Sequence, residues 1–142
     1  MFACGTMAIK VAKQGNAWST EQVWHNPDVS MFLSSAVVNG DLLFGFSSER
    51  SGRFFCLNAQ TGETLWESDG RQGENAAILS AGDILLILAD EAKLIIARRS
   101  PEGLEPITQY EVADSQTWAH PVLLGKQILI KDTSALYLRG IE

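Results

Sequence analysis

Short apolar runs, each closed by a polar turn that usually carries glycine or asparagine, follow one another along the whole chain. Runs of this length, rich in β-branched and aromatic residues, are strands. The pattern predicts them at 7–11, 17–24, 31–38, 42–46, 54–57, 64–66, 76–81, 84–89, 94–98, 107–112, 122–124, 128–131 and 136–138, about 13 in all. A helical i, i+3, i+4, i+7 set fits 84–94 only if the polar break at Asp90-Glu91 is ignored, so no helix is expected.

The pattern also repeats. Val37-Val38-Asn39-Gly40-Asp41-Leu42-Leu43-Phe44 returns as Leu79-Ser80-Ala81-Gly82-Asp83-Ile84-Leu85-Leu86 and as Leu123-Leu124-Gly125-Lys126-Gln127-Ile128-Leu129-Ile130. Gly40, Gly82 and Gly125 are 42 and 43 residues apart. An all-strand repeat of about 40–50 residues marks propeller blades. The fold class expected is therefore all-β: a partial β-propeller of four-stranded antiparallel blades forming one domain over 1–142. It divides into a half blade at 5–25, blades at 31–67 and 76–113, and an incomplete last blade at 117–140. The half blade reads as third and fourth strands, because Trp24 precedes Trp66 by 42 residues, and the last blade lacks its fourth strand. Strands 84–88 and 94–96 are apolar on both faces, as sheets stacked between neighbours require.

The segment Phe55-Cys56-Leu57-Asn58-Ala59-Gln60-Thr61-Gly62-Glu63-Thr64-Leu65-Trp66 resembles the signature of the pyrroloquinoline-quinone-type (PQQ-like) β-propeller repeat. In that signature a strand ends in an aspartate-like residue, followed by Ala-x-Thr-Gly-Lys/Glu-x-x-Trp. One blade carries it in full. Residues 16–24 keep the tryptophan, 98–112 keep the strand pattern, and Thr117-Trp118-Ala119-His120-Pro121-Val122 resembles the opening of a last blade. The resemblance implies a structural motif made of Trp24, Asn58, Thr61, Gly62 and Trp66. Thr61-Gly62 forms the tight turn, with Gly62 free to take a positive φ, and Trp66 docks between blades, with Trp24 in the same slot one blade earlier. Trp18 and Trp118 sit off this register and read as core or loop aromatics, with ligand platforms as the alternative.

Quinone-dependent dehydrogenases of this family carry neighbouring cysteines and calcium-binding acidic residues. Here Cys4 and Cys56 are far apart and no acidic equivalents are found, so no cofactor is expected. Relatives close rings of about six to eight blades, whereas this chain supplies roughly three. Either it is the C-terminal piece of a longer propeller, or copies associate, for example as a homo-dimer closing a six-bladed ring.

Composition narrows the function classes. The 142 residues are 46% hydrophobic and 20% charged, enough for one ordinary core and too apolar for disorder. A net charge of −6 gives no electrostatic footprint for nucleic acid, and the apolar runs are too short for a membrane helix. The opening Met1-Phe2-Ala3-Cys4-Gly5 lacks the basic and apolar regions of an export signal, so the compartment stays unknown although relatives are often periplasmic or secreted. Two cysteines form no disulfide framework. His25 and His120 lie far apart, each close before a proline, and find no third ligand for a metal; they read as structural or surface residues. Ser34, Ser35, Ser47 and Ser48 lack a nucleophile-elbow context, and the glycine turns do not match a phosphate loop. Asp69, Glu74, Asp90 and Glu91 read as solvated loop charges.

With no catalytic or metal site nominated, the expected function is a non-enzymatic protein-interaction scaffold. It would use loops Arg50-Ser51-Gly52, 69–73 and 101–106 for a protein partner or for self-association. The alternative is a fragment of a small-ligand-binding or quinoprotein-like enzyme propeller that needs further blades for activity.

Overall fold

The computed structural model describes residues 4–141. Met1, Phe2, Ala3 and Glu142 fall outside the described residues, and with them part of the opening segment read above for an export signal. Among the described residues thirteen strands form: β1 (Thr6–Gln14), β2 (Ala17–Asn26), β3 (Val37–Asn39), β4 (Leu42–Ser47), β5 (Arg53–Asn58), β6 (Thr64–Glu67), β7 (Ala76–Ala81), β8 (Ile84–Ala89), β9 (Lys93–Arg98), β10 (Glu105–Glu111), β11 (Val122–Leu124), β12 (Gln127–Lys131) and β13 (Leu136–Gly140). They pair strictly in chain order into antiparallel sheets of two (β1-β2), four (β3 to β6), four (β7 to β10) and three (β11 to β13) strands.

The repeat extends to individual hydrogen bonds. Gly40, Gly82 and Gly125 all take φ near +60°, the left-handed conformation that closes a tight hairpin between the first and second strands of a sheet. Just after each third strand, a backbone N–H returns to the residue following that glycine: Ala59 to Asp41 O, Arg99 to Asp83 O and Ile141 to Lys126 O. A register shift recurs where third and fourth strands pair, at Val23 in β2, Leu65 in β6 and Ile107 in β10. This shift puts Trp24 opposite Ala8, Trp66 opposite Cys56 and Thr108 opposite Ile96, three equivalent places.

The core lies between the sheets. Phe44, Phe46, Phe54 and Cys56 of the second sheet pack on Ala76, Ile78, Leu85, Ile87 and Ala97 of the third. Leu86, Leu88 and Leu94 of the third pack on Ile128 and Ile130 of the fourth, and Trp24 and Val29 pack on Phe55 and Leu57. β4, β5 and β8 are thus buried on both faces, as their unbroken apolar sequence requires.

Three expectations change. The strand placed at 31–38 is only Val37–Asn39. Residues 31–36 are a loop, with Leu33 in the left-handed region and Ser34 Oγ donating to Phe46 O at 2.9 Å. The loop expected at 101–106 ends earlier, since β10 begins at Glu105 and takes in Pro106; a proline is tolerated there because, among the described residues, no strand pairs with the outer edge of β10. Between β4 and β5 the chain makes a short 3₁₀ turn, Glu49–Ser51.

Candidate functional site

In an antiparallel sheet entered at the same end each time, the turn between second and third strands and the link to the next sheet both lie at one end. The other two turns lie at the opposite end. Two of the three loops nominated above therefore share one end, Arg50-Ser51-Gly52 and 69–73, and the structure clasps them together. Arg71 N donates to Arg50 O and Gln72 N to Gly52 O, both at 3.0 Å. A Cβ on Gly52 would collide with Gly73 O, and one on Gly70 with Arg50 O, so both glycines are required by the close approach. The third nominated loop, beyond Ser100, lies at the opposite end with the hairpins at Gly40, Gly82 and Gly125.

The clasp forms one wall of a cleft of about 580 Å³. Phe32 and Leu33 enter it from the link between the first two sheets, Arg71 and Glu74 from the next link, Glu91 from the β8–β9 turn and Trp118 from the last link. Phe32, Leu33 and Trp118 are exposed large apolar residues, Leu33 the most so at 71%. Leu33, Arg50, Ser51, Arg71 and Ala92 all hold positive φ, a costly conformation for residues with a side chain that collects at binding and switch regions.

Buried polar groups hold these loops in place. Arg53, at the start of β5, donates to Glu49 and Glu67 at 2.6 Å each, tying the 3₁₀ turn to the outer strand. Asp90, expected as a solvated loop charge, is instead buried: its Oδ1 accepts from Glu74 N at 3.2 Å and its carbonyl from Thr117 N at 2.9 Å, while Thr117 Oγ1 donates to Ala89 O at 2.7 Å. Asp132 caps the β12–β13 turn: Oδ1 accepts from Ala135 N at 2.6 Å and Ser134 N at 2.8 Å, and Oδ2 from the hydroxyls of Ser115 and Tyr137. These donors, the backbone N–H groups foremost, hold its carboxyl well below the usual carboxylate range. Burial, followed by the neighbouring Asp114 and Asp132, pushes the Tyr137 phenol up.

Trp24, Asn58, Thr61 and Gly62 meet at the opposite end, between the first and second sheets, whereas Trp66 packs in the next gap, between the second and third. Asn58 Oδ1 accepts from Gln60 N at 2.9 Å and Thr61 N at 3.1 Å, and Gly62 takes φ +76° in the turn that follows. Trp24 and Trp66 each donate Nε1 across to the next sheet at 3.0 Å, to Ala59 O and to Ser100 O. Asn26 adds a bond to Gly62 O at 2.8 Å.

Among the described residues no group of three or more His, Cys, Asp or Glu could hold a metal ion, and no helix is long and apolar enough to cross a membrane. His120 is exposed, and His25 lies 3.2 Å from Cys4 O. Trp18 is exposed beside Lys13. Sequence reasoning missed Phe32 and Leu33, whose apolar run read as strand. The flanking Ser30, Ser34 and Ser35 were the available signal for a loop.

No family model and no curated protein matches this sequence. Among solved structures, BamB from Moraxella catarrhalis matches with a TM-score of 0.69 at 14% identity, over 96% of this chain and 47% of that one. The computationally designed Ika8 protein matches with a TM-score of 0.56 at 9% identity, over 95% of this chain and 55% of that one. The chain thus spans about half the length of the structures it resembles. At these identities the likeness establishes the fold, an all-β partial β-propeller.

Proposed function

We propose that this chain is a non-enzymatic protein-interaction scaffold of the PQQ-like β-propeller type, and that its first partner is a second copy of itself. The carrying observation is the pair of uncovered apolar faces at the two ends of the sheet stack. On the first sheet Met7, Ile9 and Val11 point away from the second sheet and are exposed; on the last, Val122, Leu124, Leu136 and Leu138 do the same, Leu136 at 63%. Patches of this kind on a soluble protein mark interaction surfaces. The two faces differ, so copies would meet head to tail, and two such contacts related by a two-fold axis would close a ring. A chain that matches 47% of BamB supports that arithmetic, since two copies amount to about one such propeller.

The cleft with Phe32, Leu33 and Trp118 supplies a surface for a further protein partner, one wall of it formed by the hydrogen-bonded loops at 50–52 and 71–73. What speaks against catalysis is the employment of the polar groups: Asp90 and Asp132 are spent on turns, and Cys56 is fully buried.

Two differently tagged copies expressed together test the self-association. Capture of one with the other is expected, with loss of capture when both carry Val11→Lys and Leu138→Lys. Tagged copies that never purify together would overturn it.

A further inference from the structure

The interface between the third and fourth sheets departs from the rule that the two earlier interfaces follow. In those, an indole from the fourth strand fills the slot between sheets and bonds to a carbonyl of the next sheet, Trp24 to Ala59 and Trp66 to Ser100. Trp66 packs there with its ring centroid 6.2 Å from that of Phe44 and belongs to the same apolar cluster. The equivalent position in β10 is Thr108, opposite Ile96 as Trp66 is opposite Cys56. Where the ring is missing, a cavity of about 840 Å³ opens between the two sheets. That volume lies within the range of small-molecule sites, about 300–1,000 Å³.

The walls retain the character of the filled slots. Leu86, Leu94 and Ile96 face the cavity from the third sheet and Leu123 and Ile128 from the fourth, continuous with the packed interface beneath. Ile141, whose N–H bonds to Lys126 O as that of Ala59 does to Asp41 O, lines the cavity at the register position of Ala59, the acceptor of the Trp24 indole. A second change accompanies the first. Register puts Arg139 where the third sheet has Ala97, and Arg139 also lines the cavity. Arg139 is exposed at the cavity's rim, where its Nε donates to Val112 O at 3.2 Å and its guanidinium lies 4.9 Å from the Tyr137 ring. Its terminal nitrogens make no hydrogen bond among the described residues. Glu111 is the other charge on the lining and forms no ion pair with it among those residues.

We propose that this slot binds a small planar aromatic carboxylate. The ring takes the place of the missing indole, and the carboxylate accepts from the terminal N–H groups of Arg139, a charge-assisted and geometrically matched pair. The inference does not depend on the scaffold reading, because the slot is formed within one copy.

Binding is tested with three probes on the whole chain: indole, indole-3-acetate and N-acetyltryptophanamide, followed by calorimetry and by methyl chemical shifts. Indole-3-acetate is expected to saturate with a dissociation constant on the order of 0.1 mM, shifting the methyls of Leu86, Ile96, Leu123 and Ile128, and to bind about tenfold tighter than indole. Arg139→Gln removes that preference, and Thr108→Trp blocks the acid and indole alike. Absence of saturable binding, or equal affinity for indole and its acid, overturns the proposal. Tighter binding of N-acetyltryptophanamide overturns it in favour of a partner protein's tryptophan. If Thr108→Trp fails to fold, the methyl shifts and the Arg139→Gln variant still decide the matter.

Discussion

Gly62 and Trp24 belong to neighbouring sheets, yet they stand so close that a Cβ on Gly62 would collide with the indole ring. The glycine is required twice over, by its φ of +76° and by this contact. Gly62→Ala is expected to lower stability by about 2–3 kcal/mol, and Trp24→Ala, which empties a buried slot, by about 3–5 kcal/mol. Because the first substitution acts partly through the ring that the second removes, the double variant should lose clearly less than the sum. Urea unfolding of the four proteins measures this, and strict additivity would show that the contact carries nothing.

Arg53 is buried, with Glu49 and Glu67 as partners. Glu49 and Glu67 keep about a third of their side chains in water, so Arg53→Ala loses two charge-assisted hydrogen bonds and the packing of a buried stem and should cost about 2 kcal/mol, and Arg53→Met less because the methionine fills the volume. Glu49 sits in the 3₁₀ turn beside the clasp, so amide exchange should quicken in 49–52 and in 70–73 before it does elsewhere. Uniform quickening would contradict the role given to Arg53 in holding that wall of the cleft.

The Asp132 carboxyl is held low in the folded protein, so its ionised form stabilises the fold above the unfolded carboxylate value of about 3.9. That stabilisation is lost as pH falls below about 4 toward the depressed native value. Asp132→Asn should therefore melt lower than the parent at pH 7, and the gap should shrink at pH 3. A gap of the same size at both pH values would contradict the charge-based reading.

Cys56 is fully buried, and burial pushes its thiol up to about 11 against the opposing pull of a backbone hydrogen bond at Leu43. Cys4 is exposed. A disulfide reagent at pH 8 should titrate one thiol in the folded protein and two in denaturant. Two fast thiols in the folded protein would mean that the second sheet opens readily.

The fold was legible because period and turn chemistry agree. The glycines at 40, 82 and 125 mark hairpins at one spacing, and the strand runs between them are too short for anything else. The cleft was harder to read. Met31-Phe32-Leu33 has the composition of a strand, and only tertiary contacts, with Ser34 bonded to Phe46 O, turn it into a loop whose apolar side chains face solvent. The clasp between 50–52 and 70–73 joins segments 20 residues apart through backbone groups, which leave no mark on side-chain pattern. Thr108 was invisible as a departure, because the register shift at Ile107 that aligns it with Trp66 is a structural observation.

The solution mass, by light scattering coupled to size exclusion, tests the central claim most directly. Self-association through the two end faces requires a mass of about twice 15.5 kDa that falls to the single-chain value when Leu138→Lys is introduced. A single-chain mass for the unaltered protein at high concentration would contradict it, and would assign those faces to a different protein or to further blades of a longer chain.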